Sequence, residues 1–584
     1  MLKVFKYFKK KEKMFVFISM IFILLQVWLD LKLPDYMSQI TTLVETKGSS
    51  MMDILTQGGY MVLCAIFSMA ASMIVGYFAA VVAAGLSKTL RGMVYDKTLS
   101  FSMEEINKFS TASLINRTTN DITQVQTLVA MGLQIIIKAP ILAVWAVIKI
   151  SGKSWQWTSA TAVAVFILII MLGIILIFAV PRFKVIQSLS DNLNRIVREH
   201  LTGIRVVRAY NAEKYQEDKF EKSNDELTNT NLVAYRVMAI MSPGMTLINS
   251  GLSLVVYWIG AYIINSAGMG DKIKLFSNMI VFSSYAMQVI MAFMLLNMIF
   301  ILLPRAQVSA KRIIEVLTTE TKLYDGTVES IKDETINFKH VYFKYPDASD
   351  YVLKDINFKA KKGQTVAFIG STGSGKSTLV NLVPRFYDAS KGEITIGGIN
   401  IKEYKQEELH NKIGYVPQKA VMFSGTVSSN VMYGDNGKEK ASKSDIVKAI
   451  DIAQSTDFVK KMKDSYDAPI AQGGTNISGG QKQRLAIARA ICRKPQIFIF
   501  DDSFSALDYK TDRDLRSRLK AETKNAITLI VGQRIGTIKD ADMIIVLDKG
   551  EIVGKGTHEQ LLENCSTYKE IALSQLSKEE LVNG

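Results

Sequence analysis

Six apolar stretches, each near the length needed to cross a bilayer, constrain this 584-residue chain more than any other feature. They are Phe15 to Leu33, Gly58 to Gly85, Ile135 to Ile150, Thr158 to Val180, Met245 to Ile264 and Phe276 to Leu303. Roughly 30 Å of hydrocarbon takes about 20 residues of helix at 1.5 Å rise. Lipid offers the backbone no hydrogen bonds, so such stretches are read as α-helices. The third is the shortest and carries Lys138 and Lys149, whose long arms are expected to reach toward the interfaces. An even number of spans puts both termini on one side. Lys3, Lys6, Lys9, Lys10, Lys11 and Lys13, ahead of the first span, mark that side as cytoplasmic. Met1 to Met14 reads as an amphipathic elbow helix on the inner membrane face, without the apolar core and cleavage site of a signal peptide.

Two connections, Leu86 to Leu128 and Arg182 to Val237, are long and polar, contain no proline, and have only Gly92 and Gly203 as breakers. They read as helices continuing into the cytoplasm. The membrane domain is expected over residues 1–310, a linker over 311–333, and a soluble α/β domain over 334–584.

The soluble part carries a phosphate-binding loop. Gly370-Ser-Thr-Gly-Ser-Gly-Lys-Ser377 matches G-x-x-x-x-G-K-[ST], with the apolar run Thr365 to Ile369 before it and a helix-like stretch, Thr378 to Leu382, after it. Gly370, Ser371, Thr372, Gly373, Ser374 and Gly375 let successive N–H groups turn toward phosphates, and the helix start adds partial positive charge. Lys376 is expected at the β and γ phosphates, Ser377 on Mg2+, and Thr378 beside them. Ile497-Phe-Ile-Phe-Asp501 reads as a buried parallel strand delivering Asp501 to the same metal.

Between these lies Asn476-Ile-Ser-Gly-Gly-Gln481, and with it the chain resembles the ATP-binding cassette proteins. Tyr345 before Pro346 resembles the aromatic that stacks on adenine. Gln418 after Val416-Pro417 resembles the Q-loop glutamine, set near the metal and the attacking water, and Ser505-Ala-Leu-Asp508 resembles the D-loop. The resemblance implies ATP and Mg2+ as cofactors. It also implies a head-to-tail cassette pair in which Ser478, Gly479, Gly480 and Gln481 serve the nucleotide of a second half-transporter. Six spans followed by one cassette resemble half-size exporters of the multidrug type. In those, cytoplasmic helical hairpins touch the cassettes, expected here near Ser113 to Asp121 and Arg208 to Glu213.

The chain departs from the family at the two positions that perform hydrolysis. Where a glutamate follows the metal-binding aspartate, this chain has Asp502, and where a histidine meets the γ phosphate it has Gln533. Asp502 is one methylene shorter, and a misplacement of about 1 Å can cost roughly a hundredfold in rate. Gln533 donates a hydrogen bond but does not titrate near neutral pH. Ala471-Gln472-Gly473-Gly474 lacks the family's glutamate, which puts coupling through that loop in doubt. The expectation is a heterodimeric exporter in which this chain's own site binds ATP and hydrolyses it slowly. Its signature would complete a partner's working site. A homodimer with Asp502 as a slow base, an exporter dedicated to a lipid, peptide or porphyrin, and an ATP-gated channel or regulator are the alternatives.

Met287, Met291, Met294 and Met298 share one helical face, suited to hydrophobic or amphiphilic small-molecule substrates, with plain helix packing as the other reading. The formal charge of +16 sits largely beside spans and in inner loops, where membrane lipids are a simpler partner than nucleic acid. Cys64, Cys492 and Cys565 have no pairing or metal spacing. The expected location is a bacterial cell membrane.

Overall fold

A computed structural model describes residues 4–46, 48–151, 155–268, 271–329 and 335–575. They form two compact units: residues 1–99 with 112–319, and residues 100–111 with 320–584.

In the first unit the helices are α1 (Lys10–Glu45), α2 (Met51–Leu99), then α3 (Met103–Phe109), which belongs to the second unit, followed by α4 (Thr111–Thr118), α5 (Asn120–Ser151), α6 (Trp155–Thr202), α7 (Ile204–Ala209), α8 (Glu213–Ala239), α9 (Met241–Ser266) and α10 (Lys272–Thr318). Six helical segments are long and apolar enough to cross a membrane. The spans do continue into long polar extensions: α2 runs to Leu99 and α6 to Thr202. Their shared core takes Val27 and Leu31 from α1, Leu142 and Ala146 from α5, Trp157 and Leu168 from α6, Val256 from α9, and Phe282 and Tyr285 from α10. Trp157 donates its indole N–H to the Val256 carbonyl at 3.2 Å, which satisfies a polar group that packing alone would strand.

Three features differ from the sequence reading. Of the elbow helix expected over Met1 to Met14, residues 1–3 lie outside the described residues; the rest is a single 3-10 turn, Val4–Tyr7, followed from Lys10 by the helix of the first span. The Glu12 carboxylate accepts the Lys9 amide at 2.8 Å and so starts α1 there. The linker expected from residue 311 begins later, because Ile313 and Val316 are buried and α10 runs on to Thr318. Lys138 and Lys149, given no partners by the sequence reading, pair with Asp30 at 3.1 Å and Asp35 at 2.8 Å on α1.

In the second unit the strands are β1 (Thr335–Phe343), β2 (Leu353–Lys361), β3 (Thr365–Gly370), β4 (Lys391–Ile396), β5 (Ile399–Asn400), β6 (Ile413–Val416), β7 (Gly425–Thr426), β8 (Pro469–Ile470), β9 (Ile497–Asp501), β10 (Ile527–Val531), β11 (Met543–Asp548) and β12 (Glu551–Gly556). One sheet has the order β12-β11-β3-β10-β9-β6, parallel except at the β12 edge. All five residues of β9 and of β10 are buried, as continuous apolar runs covered on both faces require. Alternation sends Phe498 and Phe500 into the core on one face and Ile497 and Ile499 into the core on the other. A second, antiparallel sheet has the order β2-β1-β4-β5, and β7 pairs with β8.

Candidate nucleotide site

The strand order positions the site. β3, β10, β9 and β6 are neighbours, and their C-terminal ends lead into Gly370, Gln533, Asp501 with Asp502, and Gln418. Parallel strands gather loops from distant sequence at one edge, the usual place for a ligand in such sheets.

The loop after β3 needs its glycines. Gly370, Gly373 and Gly375 have φ of 152°, 85° and 97°, and a side chain on Gly370 would meet the Leu547 carbonyl. α11 (Lys376–Asn381) follows. Lys376 folds back across the loop, its Nζ donating to the carbonyls of Gly370 at 2.9 Å and Ser371 at 2.7 Å and to Ser374 Oγ at 3.3 Å. Those three acceptors hold the ammonium where incoming phosphate oxygens would replace them. Ser377 Oγ donates to Asp501 Oδ1 at 2.7 Å, so the hydroxyl and the carboxylate converge as the hard oxygen pair that Mg2+ prefers. The residues present therefore fit a magnesium nucleotide.

Asp502 is almost fully buried and sits at φ 46°, a left-handed conformation that a short polar side chain tolerates. Its Oδ2 accepts the Gln533 amide at 2.7 Å and the Gln418 amide at 3.2 Å. Burial pushes the Asp501 and Asp502 carboxyls up from the ordinary carboxylate range. Ser377 opposes the shift at Asp501, and Gln418, Ser505 and Gln533 oppose it at Asp502. Burial pulls the Lys376 ammonium down, against the attraction of both carboxylates.

Tyr345 lies at the side of this loop, its hydroxyl 3.0 Å from Thr378 Oγ1 and its ring edge-on to Phe343 and Tyr387. Tyr387 in turn accepts the Asn107 amide from α3 at 3.0 Å. α3, within residues 100–111, is grouped with the cassette, and Ser113 to Asp121 is grouped with the helical unit. α3 is fixed by Glu105, which caps its N-terminus through Ser102 and accepts the Lys322 amide at 3.3 Å. Sequence spacing gave no sign of Tyr387 or Asn107, because their meeting depends on chain folding over 280 positions.

Ser478 is exposed and starts the helix Gly479–Cys492, accepting the Gln481 amide at 3.3 Å while Gln481 Oε1 accepts the Ser478 amide at 2.9 Å. Asn476 pins the preceding loop by accepting the Ala471 amide at 3.0 Å and donating to the Pro469 carbonyl at 2.8 Å. Among the described residues no hydrogen bond joins Ser478, Gly479, Gly480 or Gln481 to the phosphate loop of the same chain. The buried Gln483 does connect this helix to the Q-loop, donating to the Pro417 carbonyl at 3.3 Å. On α10, Met287, Met291 and Met294 are exposed beside the buried Tyr285 and Val289, and the Met298 side chain lies outside the described residues.

Residues 16–293 match the family described as the ABC transporter transmembrane region, and residues 353–505 match the ABC transporter family. An uncharacterized ABC transporter ATP-binding protein of Mycobacterium tuberculosis is 39% identical over 88% of this chain and 87% of its own length. The ATP-dependent lipid A-core flippase of Pseudomonas fluorescens is 31% identical over 84% and 81%. The multidrug resistance ABC transporter ATP-binding and permease protein of Lactococcus lactis is 31% identical over 84% and 82%. A solved bacterial Atm1-family ABC exporter with ATP bound shares the fold, with a TM-score of 0.79 at 22% identity, covering 96% of this chain and 99% of that one. With a phosphate loop, a metal-ready carboxylate and six apolar helices on one polypeptide, the chain belongs to the ABC transporter family, as an ATP-hydrolysing exporter.

Proposed function

We propose that this chain is one half of a heterodimeric exporter for amphiphilic or hydrophobic compounds. Its own nucleotide site binds ATP and turns it over slowly, and its signature serves the partner's nucleotide. The observation that carries this reading is the pair of amides on Asp502. A general base must present a carboxylate oxygen to the attacking water. Here Oδ2 already accepts from Gln533 and Gln418, on a side chain one methylene shorter than the family's glutamate. Ser478, by contrast, is exposed at a well-capped helix start, ready for a second chain's phosphate.

In this mechanism Lys376 and the loop amides cradle the nucleotide phosphates, Tyr345 stacks on the base, and Ser377, Asp501 and Gln418 hold the metal. Mg2+ supplies neutralisation of the charge that develops on the transferred phosphoryl group. Closure of the cassette pair reorients the spans toward the outside of a bacterial cell membrane, with both termini in the cytoplasm. The exposed methionines of α10 offer a deformable apolar face for cargo. Relatives named for lipid A-core and for multidrug transport both support an amphiphilic substrate.

The test is magnesium-dependent ATP turnover of the chain alone and with its co-encoded half-transporter, in the same lipid. An idle chain and an active pair, silenced by removing the partner's glutamate, are expected. Equal turnover by the chain alone would make it a homodimer in which Asp502 is the working base.

A further inference from the structure

The membrane unit contains a polar cluster that the nucleotide chemistry does not use. Asp30 Oδ2 accepts from Lys138 at 3.1 Å and Asp30 Oδ1 accepts from Ser68. Asp35 Oδ2 accepts from Lys149 at 2.8 Å and Asp35 Oδ1 from Tyr285 at 2.7 Å. Lys138 stands 13 residues before the end of α5, which places it about 20 Å along the helix from that end. Lys138, Asp30 and Gln288 thus lie well inside their helices, whereas Lys149 is near the end of α5. Membrane-embedded ionisable groups are costly to keep and default to a functional reading.

Three details give the cluster a chemical preference. Each lysine has one acceptor among the described residues, Asp30 for Lys138 and Asp35 for Lys149, whereas an ammonium carries three N–H donors. The Lys138 side chain is partly exposed, and its remaining donors have no acceptor among the described residues. Gln288, on α10, donates to the Asp30 carbonyl at 3.4 Å, but its Oε1 is buried with no hydrogen-bond partner. Such an acceptor is expensive to leave empty and is matched by an N–H or O–H donor. Finally, Asp30 and Lys138 together sum to no net charge. A headgroup with net charge would bring an unbalanced charge into low dielectric, and a zwitterion would not. Met287 and Met291, exposed on either side of Gln288 in sequence, supply an apolar face for an acyl chain.

We infer that the group formed by Asp30, Lys138 and Gln288 is a headgroup subsite for a zwitterionic amphiphile, with an anionic phosphate toward Lys138 and an N–H-bearing ammonium toward Gln288. A primary ammonium, as in ethanolamine phospholipids, satisfies the Gln288 acceptor; a quaternary one has no hydrogen to give. This deepens the export reading and rests on it for cargo movement, while the binding step requires neither ATP turnover nor the partner.

The experiment is equilibrium binding of palmitoyl lysophosphatidylethanolamine, lysophosphatidylcholine, lysophosphatidic acid and hexadecylamine to the full-length chain in dodecyl maltoside, by native mass spectrometry without nucleotide. The ethanolamine lipid is expected to bind about tenfold tighter than the other three, the ratio of one good hydrogen bond. Gln288→Leu should erase the preference over the choline lipid and leave choline-lipid affinity as it was. The double change Asp30→Asn with Lys138→Met should weaken both phospholipids. Equal affinity for all four compounds, or an undiminished preference in Gln288→Leu, would overturn the subsite and leave the ion pairs as bolts between helices. Gln288→Leu removes the unpaired acceptor together with one long hydrogen bond to the Asp30 carbonyl, and an unchanged melting temperature checks its folding. Because binding is read without nucleotide, a failed turnover asymmetry leaves this result standing, and the reverse also holds.

Discussion

On the proposed heterodimer reading, Asp502 and Gln533 limit how much chemistry this chain performs for itself. Changing Asp502 to Asn keeps an acceptor for the Gln533 and Gln418 amides, so turnover of the assembled pair should fall by less than about tenfold, in contrast to the loss of a working base, which costs roughly 10²–10⁴. Steady-state phosphate release by the pair checks this. Changing Ser478 to Trp should instead nearly abolish turnover, because the exposed N-cap hydroxyl and helix start are what a second chain's phosphate would meet. The pH dependence of nucleotide binding follows from burial. Asp501 must be ionised to hold the metal, and its raised pKa means that binding is lost, as pH falls, earlier than for a free carboxylate. Lys376 must be protonated, and its lowered pKa means that binding is lost, as pH rises, earlier than for a free lysine. Magnesium nucleotide titrations across pH should therefore give a range narrowed from both sides. The motif residues were legible because their backbone roles demand fixed types at fixed spacing, as Gly375 at φ 97° illustrates. The amide clasp on Asp502 was not, since strand neighbours rather than sequence neighbours bring Gln418 and Gln533 together.

Among the elements, α3 shows how a short helix is held by its ends. Glu105 closes the capping box with Ser102 and also accepts the Lys322 amide, while Asn107 reaches Tyr387. Glu105→Ala should destabilise α3 by about 1 kcal/mol, the ordinary cost of a lost cap, and hydrogen exchange of residues 103–109 should rise while that of β3 and β9 stays slow. The six spans were legible from apolar length alone, because a bilayer imposes a length that few other environments do. The lysines of the third span were read as interfacial, and their partners on α1 were invisible, because an ion pair between separate helices leaves no periodicity. Met1 to Met14 misled for a related reason: its pattern allows a surface helix, but a single carboxylate, Glu12, sets where the helix begins.

For the molecule as a whole, transport requires that events in the cassette reach the spans through the backbone joining them as well as through packed surfaces. α10 ends at Thr318, and the cassette unit resumes at Glu320. Inserting two glycines after Thr319 should leave ATP binding intact, because no nucleotide-site residue moves in sequence relative to another. It should also abolish the stimulation of turnover by transported amphiphile in proteoliposomes. Retained stimulation would show that side-chain contacts carry the coupling unaided. α10 is a single helix of 47 residues, about 70 Å long at 1.5 Å per residue, with Pro304 as its one internal proline. A continuous rod of that length can serve as a drive shaft, passing a twist from one end toward the other, with a joint at the proline, which removes a rung and lets the shaft bend.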